Sequence, residues 1–227
     1  MIIHTLELET AQLGSLLSFY RNTLNLKVSE ESNGGFSFQT GPTRVRFIEA
    51  AKGTQPFYHF AFNIPENQLA LAKGWAEQRV KLLEFKEEDV IHFEFSNAHA
   101  IYFYDPAGNI VEFIARHDMD NASSLPFGPN SILEVSEIGL PVPDVARYAA
   151  NVRDGIGQPV WDKSSINDVL TFIGDEDGMF IVVKEGRDWL MTKDPARPWP
   201  VKAFMSGKKP FRFTDDDKGY ELVVEEG

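Results

Sequence analysis

The chain contains no cysteine. This excludes a disulfide framework, a thiolate metal site and a cysteine nucleophile, so any metal must be held by His, Asp or Glu. Histidine is also scarce, with 5 in 227 residues, and none follows His117. No apolar run reaches the roughly 18 residues of a membrane span. The opening stretch Met1 to Glu7 lacks the basic and small-residue flanks of a signal peptide and runs straight into a strand pattern. We therefore expect no membrane partner and a cytoplasmic location. Lys and Arg (22) are outnumbered by Asp and Glu (34), giving a net charge of −12. That balance argues against a nucleic-acid partner, which needs a basic patch. The one clear basic cluster, Lys208-Lys209 with Arg212 near it, runs directly into Asp215-Asp216-Asp217. Phosphate-loop, dinucleotide-binding, His-Glu-x-x-His and Gly-x-Ser-x-Gly motifs are all missing.

What is present is a chain of ordinary globular composition, 43% apolar and 25% charged. It is long enough for one large domain or two small ones. Residues 100–116 read as a hairpin: an aromatic strand, the turn Asp105-Pro106-Ala107-Gly108-Asn109, then a β-branched strand. Glu112 interrupts that second strand between Val111 and Phe113. A carboxylate buried there would need a partner, and a metal is the expected one.

Three segments share one plan of a strand, an amphipathic helix and shorter strands. The first, residues 1–50, has a strand over 2–9 and a helix with Leu13, Leu16, Leu17, Tyr20 and Leu24 on one face. Strands are then expected over 27–32, 35–39 and 43–50, with a turn at Asn33-Gly34-Gly35. The second, residues 56–116, has a strand over 57–64 and Pro65 in the first turn of a helix carrying Leu69, Ala72, Trp75, Ala76 and Val80. Its remaining strands fall over 81–85, 91–95, 99–104 and 110–116. Residues 117–131 read as a linker. The third unit begins with a strand over 133–141, a helix opened by Pro143-Asp144 and ending near Gly155, and strands over 169–173 and 179–184. The tail, 189–227, carries several prolines and no second amphipathic helix, so we expect an irregular segment there.

These features resemble the vicinal oxygen chelate superfamily, which includes glyoxalase I, extradiol ring-cleaving dioxygenases and bleomycin and fosfomycin resistance proteins. The repeated βαβββ plan is similar to the family's. So are the run from Phe19-Tyr20 to Leu24-Asn25-Leu26, which resembles its helix end, and Asp105-Pro106-Ala107-Gly108-Asn109 with Glu112, which resembles its turn and strand. The resemblance implies an α+β fold of repeated βαβββ units forming a cupped mixed β-sheet. It implies that residues 1–116 pair two units into one metal-binding cup, that 117–131 is a linker, and that 132–227 is a third, degenerate unit with an irregular tail. Carried over by position, the ligands of one divalent metal (Fe, Mn, Ni, Co or Zn) would be His4, Glu49, His59 and Glu112.

Each ligand candidate has a plainer reading. His59 lies on the His59-Ala61-Asn63 face of its strand, opposite Tyr58, Phe60 and Phe62, and could be a hydrogen-bonded sheet histidine. His4 could be a surface histidine, and Glu49 a solvated strand end. Tyr102, ten residues before Glu112 on the adjoining strand, is either a substrate-side catalytic tyrosine or a packed aromatic. His92 and His99 are candidates for substrate binding near the cup, or surface-strand histidines. In the third unit Glu137 aligns with His4 and His59, but without histidine that half cannot hold a second His-based metal site. It would then be a degenerate cup, a dimer surface or a substrate lid, and an exposed half-cup would suit a homodimer.

The function expected from the resemblance is metal-assisted chemistry on a small molecule with two vicinal oxygens. In a glyoxalase-like lyase or isomerase the metal would stabilise an enediolate while Glu49 moves a proton. In an extradiol-dioxygenase-like reaction Fe(II) would bind a catecholate and O₂, with His4, His59 and Glu112 as the triad. The alternative is a resistance-type protein that binds a small molecule without catalysis.

Overall fold

The computed structural model describes residues 1–31, 34–207 and 209–226. The end of the strand expected over 27–32, the start of the Asn33-Gly34-Gly35 turn and Lys208 of the basic pair lie outside the described residues. The first unit comprises β1 (Ile3–Thr10), α1 (Leu13–Ser18) continued by a π-helical turn (Phe19–Thr23), β2 (Val28–Glu31), β3 (Gly35–Thr40) and β4 (Thr43–Glu49). The second comprises β5 (His59–Ile64), α2 (Leu69–Glu77), β6 (Ile91–Phe93), β7 (Ala98–Tyr104) and β8 (Ile110–Arg116). The third comprises β9 (Val135–Val142), α3 (Val145–Ile156), β10 (Leu170–Asp175) and β11 (Gly178–Lys184). The chain ends in β12 (Val201–Gly207), β13 (Phe211–Asp215) and β14 (Tyr220–Glu226). No helix among the described residues is long and apolar enough to cross a membrane.

These elements form two curled, mixed, seven-stranded sheets. One has the order β13-β14-β12-β1-β4-β3-β2 and the other β10-β11-β9-β5-β8-β7-β6. This is the expected α+β architecture of repeated βαβββ units, but the units pair differently. Units one and two do not share a cup. β1 takes β12 as its antiparallel partner, and β5 takes β9. The expected 1–116 cup is therefore replaced by one cup from units two and three and another from unit one and the tail. Residues 117–134 are long enough to return β9 antiparallel beside β5, which caps the β5 edge and closes it to β1.

The tail is also more ordered than expected, with β12, β13 and β14 forming a helix-free unit. It needs no helix of its own because α3 packs against β10 and β11 of one sheet and β13 and β14 of the other. Gly155 permits this approach: a Cβ there would meet the Phe211 ring at 2.4 Å. α3 itself is well terminated. Asp144 caps its N-terminus by accepting from the Arg147 amide at 3.1 Å, and Gly157, at φ 67°, ends it in the left-handed region. Pro65 falls outside α2: it accepts from the Gln68 amide at 2.9 Å in a turn, and the helix begins at Leu69. The strand expected over 81–85 is reduced to isolated bridges, Leu82 with Phe103 and Phe85 with Glu88.

The Asp105 turn joins the two sheets. Its carboxylate accepts from the Ala107 and Asn109 amides (2.9 and 3.0 Å), the Asn109 side chain (2.7 Å) and the Tyr20 hydroxyl of unit one (2.9 Å). Burial nevertheless pushes this carboxyl up to about 6, against the pull of those donors. A folded carboxyl that holds its proton more tightly than the unfolded one contributes stability at low pH, and loses that contribution as pH rises through about 6. Comparing urea unfolding of wild type and Asp105→Asn between about pH 4 and 7 should isolate this. The wild type should lose up to roughly 3 kcal/mol more than the variant over that range; parallel pH profiles would refute the assignment.

Candidate metal centre

The β5–β9 seam decides which side chains meet. Ala61 lies opposite Glu112 in the parallel β5–β8 ladder and opposite Glu137 in the antiparallel β5–β9 ladder. Tyr102 lies opposite Glu112 on the outer side. One row across four strands thus reads Tyr102, Glu112, Ala61, Glu137, and the alanine leaves the space between the two carboxylates open. His59, two residues before Ala61, projects on the same face. The expected face of His59, Ala61 and Asn63 is the face found, and it is buried throughout.

His59, Glu112 and Glu137 offer ligand atoms that all lie within 4.8 Å of one another, and all three are buried. His59 Nδ1 is 3.2 Å from the Ile110 carbonyl oxygen. A carbonyl only accepts, so Nδ1 carries the proton and Nε2 is left as a bare acceptor. Nε2 faces Glu112 Oε2 at 3.4 Å. Two acceptors in that position require a proton or a cation between them. Burial holds the imidazole below its ordinary pKa and therefore neutral. Burial, with the Glu137 charge, pushes the Glu112 carboxyl well above its ordinary range, while Tyr102 and Arg116 pull it down. Arg116 is ion-paired to Glu137 Oε1 and donates from Nε to Asn63 Oδ1 at 3.2 Å. It leaves the second Glu137 oxygen free. One bare imidazole nitrogen and two carboxyl groups, with ligand atoms within 4.8 Å of one another, make a donor set that fits a divalent cation.

The same pairing explains the remaining corner of the site. The two-fold relation of β5 to β9 places Glu137 where His59 stands, and Ile181 where Glu112 stands, since Ile181 pairs with Gly139 as Glu112 pairs with Ala61. The fourth corner is therefore apolar. Above it sits a cavity of about 260 Å³. Its walls include Phe93, Phe95, Tyr102, Trp161, Phe172 and Trp189. Trp189 packs on His59 with centroids 5.0 Å apart, and it reaches that position because residue 139 is glycine. Tyr102 keeps its proton, because burial and the neighbouring Glu112 and Glu137 charges push its phenol well up.

His4 and Glu49 do not join this group. Both lie in the other sheet, where His4 hydrogen-bonds the Ser206 hydroxyl and Glu49 is exposed at the end of β4. On that sheet the acidic groups Glu7 and Glu31 already have cationic partners. Arg46 pairs with Glu7 and, at 2.6 Å, with Glu31; Lys202 reaches Glu7 at 3.1 Å. His92 and His99 do not line the cavity either. Alternation turns Phe93, Ala98, Ala100 and Tyr102 towards it and leaves the histidines on the opposite face. There His92 stacks on His99 at 4.2 Å, and His99 Nδ1 lies 2.8 Å from His117 Nε2. Glu137 is the residue that the sequence aligned with His59 but did not make a ligand; a carboxylate at a first-strand ligand position was the signal.

Comparison with solved structures establishes the fold class. A putative dioxygenase from Bacillus subtilis superposes with a TM-score of 0.64 at 13% identity, covering 99% of this chain and 85% of that one. Glyoxalase I from Zea mays superposes with a TM-score of 0.60 at 13% identity, covering 99% and 92%. The architecture is the glyoxalase/bleomycin resistance/dioxygenase fold, the fold of the vicinal oxygen chelate superfamily. Within that class, a family model described as toxoflavin-degrading enzyme matches residues 135–187, the stretch that supplies Glu137, Trp161, Phe172 and Ile181. A search of curated protein sequences finds no match.

A Cβ at position 139 would meet Trp189 Cη2 at 2.4 Å and Cζ2 at 2.9 Å. Gly139→Ala should therefore push Trp189 off His59. The expected result is a shift in tryptophan emission and a loss of about 1–3 kcal/mol of stability. Unchanged emission and stability would show that Trp189 is not wedged there.

Proposed function

We propose that this chain is a metal-dependent enzyme of the vicinal oxygen chelate type, transforming a small molecule with two adjacent oxygens in the cavity between units two and three. The observation that carries this reading is the bare His59 Nε2 facing Glu112 Oε2, with the free oxygen of Glu137 within reach. His59, Glu112 and Glu137 would hold the metal. A bound divalent ion would supply Lewis-acid polarisation of two neighbouring substrate oxygens. One imidazole and two carboxylates differ from a two-histidine facial triad and suit Mn(II) or Fe(II) best among the metals expected. The family model matched by residues 135–187 is named for degrading toxoflavin. We carry over the degradative class of reaction, not the compound.

The chain's own groups then have separable tasks. His59 is held in one tautomer by the Ile110 carbonyl. Glu112, pushed by burial towards its protonated form, would release that proton on serving as a metal ligand. Arg116 fixes Glu137 by holding one of its oxygens. Tyr102, protonated and buried beside Glu112, is suited to donate a hydrogen bond to a substrate oxygen rather than to act as a base. Trp189 and the other aromatic walls exclude water. Both halves of the centre come from one chain, so the proposed chemistry does not require a homodimer.

Metal binding by calorimetry on chelator-stripped protein tests this. One Mn(II) per chain is expected, with affinity reduced about tenfold or more in each of His59→Ala, Glu112→Gln and Glu137→Gln. His4→Ala and Glu49→Gln should bind as the wild type does. A wild type that binds no divalent ion sinks the metal-enzyme reading and favours a non-catalytic binding protein, which the aromatic walls would also serve. In loaded protein, O₂ uptake with a catechol panel and isomerisation of a hemithioacetal separate the two chemistries.

A further inference from the structure

The segment after β11 brings to the cavity an arginine that is not among the proposed metal ligands. Residues 185–196 fold back on themselves over the cavity. Gly186 N donates to Ala196 O and Ala196 N to Arg187 O, both at 2.8 Å, and Arg187 N donates to Lys184 O at 3.1 Å. Trp189 N donates to Asp194 O at 3.0 Å. The backbone of Arg187 is thus pinned on both sides, and Gly186, at φ 81°, makes the turn that puts it there. Arg187 and Trp189, two residues apart, both line the cavity.

The two guanidinium groups at this cavity differ. Arg116 is satisfied by Glu137 and Asn63, and its guanidinium lies over the Trp161 ring at 5.6 Å. Arg187 is half-buried, and among the described residues it has no side-chain hydrogen bond and no carboxylate within ion-pair distance. That is unexpected on a chain with 34 acidic residues against 22 basic ones, and with Glu185 and Asp188 flanking it. A guanidinium at the wall of an apolar cavity has lost part of its hydration and keeps a planar fork of donors that matches a carboxylate. The surrounding side chains are flat. Phe95 meets Trp161 at 6.0 Å and Trp161 meets Phe172 at 5.8 Å, both edge-on, and all three rings line the same cavity as Arg187. The volume, about 260 Å³, suits a small ring system.

We propose that Arg187 is the anion-recognition residue of this cavity, and that its substrate is a small planar aromatic molecule bearing a carboxylate or comparable acidic oxygen group. As a statement about substrate this rests on the proposed function, but the binding it predicts does not depend on the metal.

The test uses metal-stripped full-length protein, with benzoate and benzamide as probes and calorimetry or quenching of tryptophan emission as the readout. The wild type should bind benzoate about tenfold or more tightly than benzamide. Arg187→Met should bring benzoate to within about twofold of benzamide, and Arg187→Lys should keep part of the preference. Equal binding of the two probes by wild type, binding of neither, or an undiminished preference in Arg187→Met overturns the assignment. Matched thermal unfolding of the variants separates lost recognition from lost folding. A parallel titration with Mn(II) and catechol reports on the metal reading alone. If benzoate preference survives while catechol fails to bind the Mn(II)-loaded protein, the chelate chemistry is overturned and Arg187 keeps its role.

Discussion

The antiparallel seam between β5 and β9 is the constraint on which the site depends. It sets Glu137 opposite Ala61, and Ala61 in turn sits opposite Glu112. A slip of one residue would turn Glu137 into the core and bring Ile138 to the cavity, because side chains alternate with a period of two. The seam is protected against that slip by its own packing. Phe60, Phe62 and Ile138 are buried in the main core, and exchanging them for charged neighbours would bury unpaired carboxylates. The register that buries the phenylalanines is therefore the one that gathers His59, Glu112 and Glu137.

The two sheets use one plan for different ends. On the first, Glu7 and Glu31 each have a guanidinium or ammonium partner, with Arg46 pairing both and Lys202 reaching Glu7. On the second, Arg116 answers only one of two buried carboxylates, and the position that could supply a fourth polar group is Ile181. The carboxyl that Arg116 leaves unanswered, Glu112, is buried and pushed towards its protonated form. Glycine and tryptophan complete the arrangement, with Gly139 ceding its side-chain volume to Trp189, which covers His59.

The cavity divides its polar work between floor and rim. The floor groups stand on the sheet, and the Ile110 carbonyl fixes the tautomer of His59 while Arg116 holds Glu137. Arg187 stands on a short folded segment that lines the cavity, with its backbone bonded and, among the described residues, no hydrogen-bond or ion-pair partner for its side chain. Such a division lets one set of residues fix how a molecule is held at its reacting oxygens and another select what else the molecule carries.

Much of this was legible in the chain itself. Alternation in residues 57–64 put His59 on the polar, small-residue face, and the lone Glu112 in an apolar strand marked a buried charge in need of a partner. The absence of cysteine restricted the donors, and the repeat of strand and helix signals gave the α+β class. These are local properties, set by side-chain period, turn chemistry and inventory, and they survive whatever the strands pair with. What the sequence left open was which strand edges would meet. Backbone hydrogen bonds between edges are nearly indifferent to side chains, so β5 could have closed on β1 as readily as on β9 by pattern alone. Tertiary structure settled that choice through the return of residues 117–134 and the double-sided packing of α3. It removed His4 and Glu49 from the site, turned His92 and His99 away from it, and put Glu137 and Arg187 into it.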